Sequence, residues 1–65
     1  DVSEFSTVLE ALQLHAQLDF DSAEITTIGV HYEGRAVVCR VDYARAQGIV
    51  AGLSAAGLRA SISYN

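Results

Sequence analysis

The sequence predicts an α+β fold, a two-layer sandwich in the order α-β-β-α-β, with two helices on one face of a three-stranded, mainly antiparallel sheet. Three observations indicate this class. Apolar residues recur at helical spacing in residues 3–18. Ile, Thr and Val dominate residues 24–32, which lead into Glu33 and Gly34. Apolar and polar residues alternate strictly over residues 58–64, which is typical of a half-buried strand.

The first helix is predicted over residues 3–18. Ser3 or Ser6 is suited to cap its start, and Glu4 suits the positive end of the helix dipole. A main apolar stripe lies along one face, and a second apolar flank carries Leu14 and Leu18. The main stripe comprises Phe5, Val8, Leu9, Leu12 and Ala16.

A β-hairpin is predicted next, with strands at residues 24–32 and 35–41. Gly34 tolerates the positive φ that a tight two-residue turn needs, so Glu33-Gly34 is the expected turn. In that register apolar residues oppose apolar residues on one face. The pairs are Val30 with Val37, Ile28 with Cys39, and Thr26 with Val41.

A second helix is predicted over residues 43–56, followed by the third strand. Asp42 is a favourable N-cap residue. Gly57 suits the left-handed position after a helix, and Leu58 can pack back as in a Schellman ending. The connection from the second strand through this helix to the third strand is expected to be right-handed. This order resembles a ferredoxin-like or regulatory ligand-binding domain that lacks its first strand, a likeness of fold only.

Length and charge limit the classes of function. Sixty-five residues make a single domain, residues 1–65, and the one cysteine excludes an intrachain disulfide. Residues 1–34 carry seven acids and no Lys or Arg, and the net charge of the chain is −4. An acidic protein disfavours nucleic acid and anionic membrane as partners. No apolar run reaches the length of a membrane span, so a cytoplasmic location is expected.

No catalytic constellation emerges from the predicted fold. Cys39 and His31 fall on opposite faces of the predicted sheet, so they cannot form a nucleophile–base pair. His15 and Asp19 are spaced as one turn of helix, but two ligands are too few for a structural metal site. We therefore predict a protein that is not an enzyme, with no catalytic residues, no metal and no cofactor.

The second helix shows an unusual outer face of small residues without charge. An ordinary surface helix carries charge there, and small residues allow another backbone to approach closely. The alternatives are an exposed face without a partner, or a face covered by the first helix of the same chain. We predict a homodimer through the helices, and the rival dimer pairs edge strands. The predicted interface consists of Leu14, Leu18, Ala44, Gly48, Ala51, Gly52 and Ala55.

These features together favour a non-enzymatic protein-interaction module. The interpretation is a small acidic homodimeric regulator or inhibitor of bacterial or phage origin, which binds itself and can bind another protein. The alternative is a small-molecule-sensing regulatory domain with a pocket between helices and sheet. Ligand-dependent thermal shifts distinguish the two, because a ligand of the native state raises the melting temperature.

Overall fold

Three helices form the regular structure of this protein over the residues described. The computed structural model describes the backbone of residues 2–64 and the side chains of residues 4–64. Helix α1 spans Val2–His15, α2 spans Phe20–Glu33 and α3 spans Tyr43–Ala55. Helix α1 packs on both α2 and α3, whereas the described residues of α2 and α3 do not contact each other. Helix α1 is therefore the central element of the domain.

Helix α1 confirms the first predicted helix in type and position, with different ends. It begins at Val2, so the predicted cap at Ser3 or Ser6 is wrong. It ends at His15, because Gln17 adopts a left-handed φ of 57°. The backbone N–H of Leu18 then donates to the carbonyl of Leu12 at 3.3 Å, which closes the last turn.

Helix α2 lies where the first predicted strand and the hairpin turn were expected, and those predictions are wrong. The Asp19 carboxylate caps the start of α2 by accepting the backbone N–H of Ser22 at 2.7 Å. At the other end Gly34 has φ 84° and donates its N–H to the Val30 carbonyl at 2.9 Å. The positive φ predicted at Gly34 is present, but it terminates a helix and does not close a hairpin.

The burial of two small side chains explains why this β-branched segment is helical. Ala23 and Thr27 lie one turn apart, and both have 0% exposure. The Thr27 hydroxyl donates to the Ala23 carbonyl at 2.6 Å, so its buried polar group is paired within the helix. Tertiary packing of this face outweighs a difference in intrinsic propensity of about 0.5 kcal/mol per residue.

The predicted three-stranded sheet is absent from residues 2–64. Residues 35–42 and 58–64 have no regular secondary structure. The α+β sandwich, its hairpin, its third strand and its right-handed crossover are therefore wrong. The physical reason is that the central predicted strand is part of α2, and a strand without a neighbour leaves its backbone groups unpaired.

Helix α3 confirms the second predicted helix, together with its predicted N-cap at Asp42 and its predicted ending at Gly57. The Asp42 carboxylate accepts the backbone N–H of Arg45 at 2.8 Å. Gly57 has φ 89°, and the N–H of Leu58 donates to the Leu53 carbonyl at 3.0 Å. This is the hydrogen bond of a Schellman ending, and Leu58 packs against the core as predicted.

The core lies where α1 meets its two neighbours. Six buried apolar residues form it, and Val38, Cys39, Leu58 and Ala60 from the irregular segments pack against it. The six are Ala11, Leu12, Ala16, Ala23, Ile49 and Leu53. None of the helices over residues 2–64 is long and apolar enough to span a bilayer.

Candidate functional site

A groove lies where the start of α1, the end of α2 and the turn after α3 come together. Its volume is about 580 Å³, within the range of small-ligand and side-chain sites. It is lined by Glu4, Thr7, Val8, Val30, His31, Ala56, Gly57 and Leu58. All three helical units of the domain contribute to it, so the groove exists only in the folded protein.

Two of the groove walls come from neighbouring helices. Helix α1 supplies the exposed Glu4 and the half-buried Val8, one turn apart. Helix α2 supplies the half-buried Val30 and the exposed His31 from its last turn. The cap at Gly34 ends α2 directly after these residues, which leaves the groove open at the helix end.

A ring contact holds His31 at the edge of the groove. The rings of Phe5 and His31 have centroids 5.6 Å apart and meet edge to face at 69°. Phe5 is half-buried on α1, so this contact also ties the first turn of α1 to the last turn of α2. The contact thereby orients the imidazole of His31 beside the groove.

The third wall depends on the ending of α3. The left-handed Gly57 reverses the chain and places Leu58 against both the core and the groove. The Gly57 N–H donates to the Ser54 carbonyl at 3.0 Å, which fixes the turn. The groove therefore has a rigid apolar side at Leu58.

The lining combines an apolar surface with polar groups. Val8, Val30 and Leu58 provide an apolar surface that can receive an apolar side chain. The Glu4 carboxylate accepts hydrogen bonds, and the His31 imidazole can donate or accept one.

The most clearly perturbed acid lies outside the groove, at the start of α2. The backbone N–H of Ser22, and secondly its hydroxyl, hydrogen-bond the Asp19 carboxylate and lower its pKa below the usual 3.8. This shift reflects helix capping. No group of three His, Cys, Asp or Glu side chains within the described residues could hold a metal ion.

The predicted interface residues differ in exposure. Leu14 is 72% exposed, whereas Leu18 is half-buried and packs against the core. Gly52 faces His15 of the same chain so closely that an added Cβ would overlap the imidazole. Helix α1 therefore covers the small face at that position. The exposed remainder of the small face comprises Ala44, Gly48, Ala51 and Ala55.

The other residues considered from sequence have structural surroundings. Cys39 is half-buried and packs against the core, as expected for a small core residue. His15 contacts Gly52 at the crossing of α1 and α3. Both residues therefore contribute to packing.

Sequence reasoning missed the groove because it placed Val30 and His31 in a strand. Val8 was expected in the core face of the first helix, while Val30 and His31 were expected on opposite faces of a strand. A helical interpretation ending at Gly34 was the available signal, since Gly commonly terminates a helix. That interpretation places Val30 and His31 in the last turn of a helix, next to the element on which this helix packs.

Comparison with known proteins identifies a family. A model of the family described as "ClpS: ATP-dependent Clp protease adaptor protein ClpS" matches residues 1–61. Neither the curated proteins nor the solved structures provide a match. The family match covers almost the whole chain, including all three helices and the groove. The chain belongs to the ClpS family of adaptor proteins of the ATP-dependent Clp protease.

Proposed function

We propose that this protein is an adaptor that binds a client protein and delivers it to an ATP-dependent Clp protease, without catalysing a reaction itself. The observation that carries the proposal is the family match over residues 1–61. The groove supports it, because an adaptor needs a surface that accepts part of a client. The predicted protein-interaction module thus gains a specific class of partner.

The groove is the proposed client site. Its three apolar residues suit one apolar side chain of the client, and Glu4 suits a nearby cation or N–H donor. A single shallow groove of this kind recognises a short peptide segment more readily than a large flat surface. We therefore expect clients to present an exposed apolar side chain next to a positive or donor group.

The location and oligomeric state follow as further parts of the proposal. Because the protease of the family description depends on ATP, we propose a cytoplasmic location, and an origin in a bacterium or a phage stays a prediction. A homodimer through the helices, with Leu14 and Leu18 beside the small face of α3, remains our prediction, and Ala51→Glu should convert it to monomer or unfold it in sedimentation. The rival dimer through edge strands is wrong, because residues 2–64 form no strand. The alternative of a sensor pocket between helices and sheet loses its basis, since the described residues form no sheet.

Degradation assays test the proposal. A fluorescent client is incubated with the Clp protease of the source organism and ATP, with and without this protein. We expect the protein to accelerate degradation of clients that bind it. In anisotropy measurements, His31→Ala should weaken binding of a peptide with an apolar residue beside a basic one, because the variant removes a groove wall.

Gln13→Ala is the matched control, since Gln13 is an exposed polar residue of α1 outside the groove. Unchanged client degradation in the presence of the wild-type protein contradicts the adaptor role. Equal peptide binding by His31→Ala and Gln13→Ala places the client site elsewhere.

A further inference from the structure

Helix α2 carries a ridge of large apolar side chains on its outside. Ile25 is 70% exposed, Ile28 is 41% exposed and Tyr32 is 84% exposed. They are spaced i, i+3 and i+7, so they form one line along the helix, which we call the α2 ridge. Large apolar side chains grouped on a surface mark an interaction site more often than scattered ones do.

No other described element covers the α2 ridge. Helix α2 packs on α1 through its opposite side, where Ala23 and Thr27 are completely buried. Its described residues make no contact with α3. Ala36 lies against Gly29, where an added Cβ would be 3.3 Å from the Ala36 Cβ. The segment after α2 thus borders the ridge on one side and leaves its three side chains exposed.

The charge around the α2 ridge is negative. Asp21 lies one turn before Ile25 on the same line, and Glu24 lies beside it. Residues 1–34 contain no Lys or Arg, and Arg35 beyond the helix end is the first cation in the chain. A partner with Lys or Arg side chains around an apolar centre complements this surface, whereas an acidic partner is repelled.

The α2 ridge and the groove lie on different sides of one helix. At about 100° per residue, the groove residues Val30 and His31 lie about 165° and about 95° around α2 from the centre of the ridge. A client in the groove therefore approaches α2 from a different side than a partner on the ridge. An adaptor must hold client and protease together, and α2 provides two separate surfaces for this.

We propose that the α2 ridge is the docking surface for the Clp protease, and that it binds an apolar patch on that protease flanked by Lys or Arg side chains. The inference rests on the proposed adaptor function and adds the surface and the chemistry of the second partner. The acidic half of the chain sets the on-rate and the choice of partner, and the three apolar side chains supply most of the affinity.

Calorimetric titration of the full chain into the Clp protease of the source organism tests the proposal. Ile25→Glu should weaken binding at least about tenfold, because it places a charge in the apolar centre of the contact. Gln13→Glu is the matched control: it places the same charge at an exposed residue of α1 outside the ridge and the groove. The control should bind like wild type. Circular dichroism verifies that both variants fold, and Tyr32→Ala provides a second, uncharged variant.

A separate set of titrations tests the contribution of charge to binding. Wild-type affinity should fall as salt is raised, and Asp21→Asn should weaken binding about fivefold at low salt while reducing that salt dependence. Glu10→Gln, at an exposed acid of α1, is the control. A salt response that Asp21→Asn leaves unchanged overturns the proposed basic partner surface.

The outcomes separate this inference from the function on which it rests. If wild type and Ile25→Glu bind the protease equally, the α2 ridge is not the docking surface and the adaptor role stands. If wild type does not bind the protease at all, both are overturned. If wild type is a dimer that Ile25→Glu dissociates, a second copy of the chain occupies the ridge and the proposal is wrong. Client-peptide affinity should be the same for wild type and Ile25→Glu.

Discussion

Helices α2 and α3 have the same kinds of cap at their ends, but they differ in which side chains they bury and which they expose. Each begins after an aspartate whose carboxylate accepts a backbone N–H three residues on, and each is followed by a glycine with positive φ. Both pack on α1. Helix α3 buries the large residues Ile49 and Leu53, whereas α2 buries the small residues Ala23 and Thr27.

The exposed faces of the two helices show the reverse difference in side-chain size. Helix α3 exposes small residues such as Gly48 and Ala51, and α2 exposes Ile25, Ile28 and Tyr32. Burial of large apolar groups stabilises the fold by about 1.5–3 kcal/mol per side chain, so α3 contributes more apolar stabilisation than α2. Helix α2 keeps its large apolar groups available for a partner. Helix α3 therefore mainly stabilises the domain, whereas α2 combines packing with recognition.

The largest expected effect lies on the inner face of α3. Leu53 is 3% exposed, so Leu53→Ala should lower the free energy of unfolding by about 2–5 kcal/mol through lost burial and a cavity. Urea unfolding followed by circular dichroism measures it. Leu14→Ala, at an exposed leucine, should change the value by less than about 0.5 kcal/mol. Similar losses at both positions would show that α3 does not stabilise the domain through its inner face.

The inner face of α2 should respond to added volume. Ala23 has 0% exposure, so Ala23→Leu forces α1 and α2 apart and should cost about 1–3 kcal/mol. Gln13→Leu places a leucine at an exposed position of α1 and should be nearly neutral. Urea unfolding again measures the difference. An unchanged free energy of unfolding in Ala23→Leu would contradict close packing of α2 on α1.

Gly48 and Gly52 distinguish the exposed side of α3 from the side that α1 covers. Gly48 has open space where a Cβ would lie, so Gly48→Ala should stabilise the protein by about 1 kcal/mol through helix propensity. At Gly52 a Cβ would lie 3.0 Å from the His15 Cβ and still closer to the ring. Gly52→Ala should therefore lose that gain and destabilise the protein. Thermal melts of both variants test this, and equal stabilisation would contradict the close crossing of α1 and α3.

The smallest effect concerns the cap of α2 and depends on pH. Hydrogen bonds from Ser22 lower the pKa of Asp19 in the folded protein below 3.8, so its contribution is present above the unfolded-state pKa. It is lost as the pH falls through the folded-state pKa. Asp19→Ala should melt below wild type at about pH 7, and the difference should shrink in acid as the pH falls through the folded-state pKa.

Asp19→Asn is the control, because Asn also caps helices and does not titrate. Its melting temperature should exceed that of Asp19→Ala at either pH. A constant difference between wild type and Asp19→Ala across the pH range would show that ionisation of Asp19 has no part in capping α2.

The sequence predicts α3 and its neighbourhood well because the signals there are local. Asp42 caps, Gly57 reverses the chain and Leu58 packs back, and each depends on residues within one or two turns. The first helix is also recognisable from its apolar stripe, with the end misplaced because the left-handed Gln17 has no side-chain signal. Each of these features depends on neighbouring residues, so it can be predicted without knowledge of the fold.

The candidate site could not be predicted because its residues are distant in sequence. Glu4, Val8 and Leu58 contribute to one groove only when α1 and the α3 ending meet beside α2. The same holds for Phe5 and His31, whose contact joins two helices. Sequence pattern indicated a protein-binding module without catalysis, and the residues of the groove depended on the packing.

The sequence by itself determined the acidic charge, the two capping signals at Asp42 and Gly57, the positive φ at Gly34, and the helical character of α1 and α3. Only the tertiary structure decided whether residues 20–33 form a helix or a strand. Their alternating Ile, Thr and Val residues satisfy a strand pattern and a helix pattern almost equally. The helix is realised because its form places Ala23 and Thr27 together against α1, where small side chains allow close packing. That choice also turned Ile25, Ile28 and Tyr32 outward, which no local preference specifies.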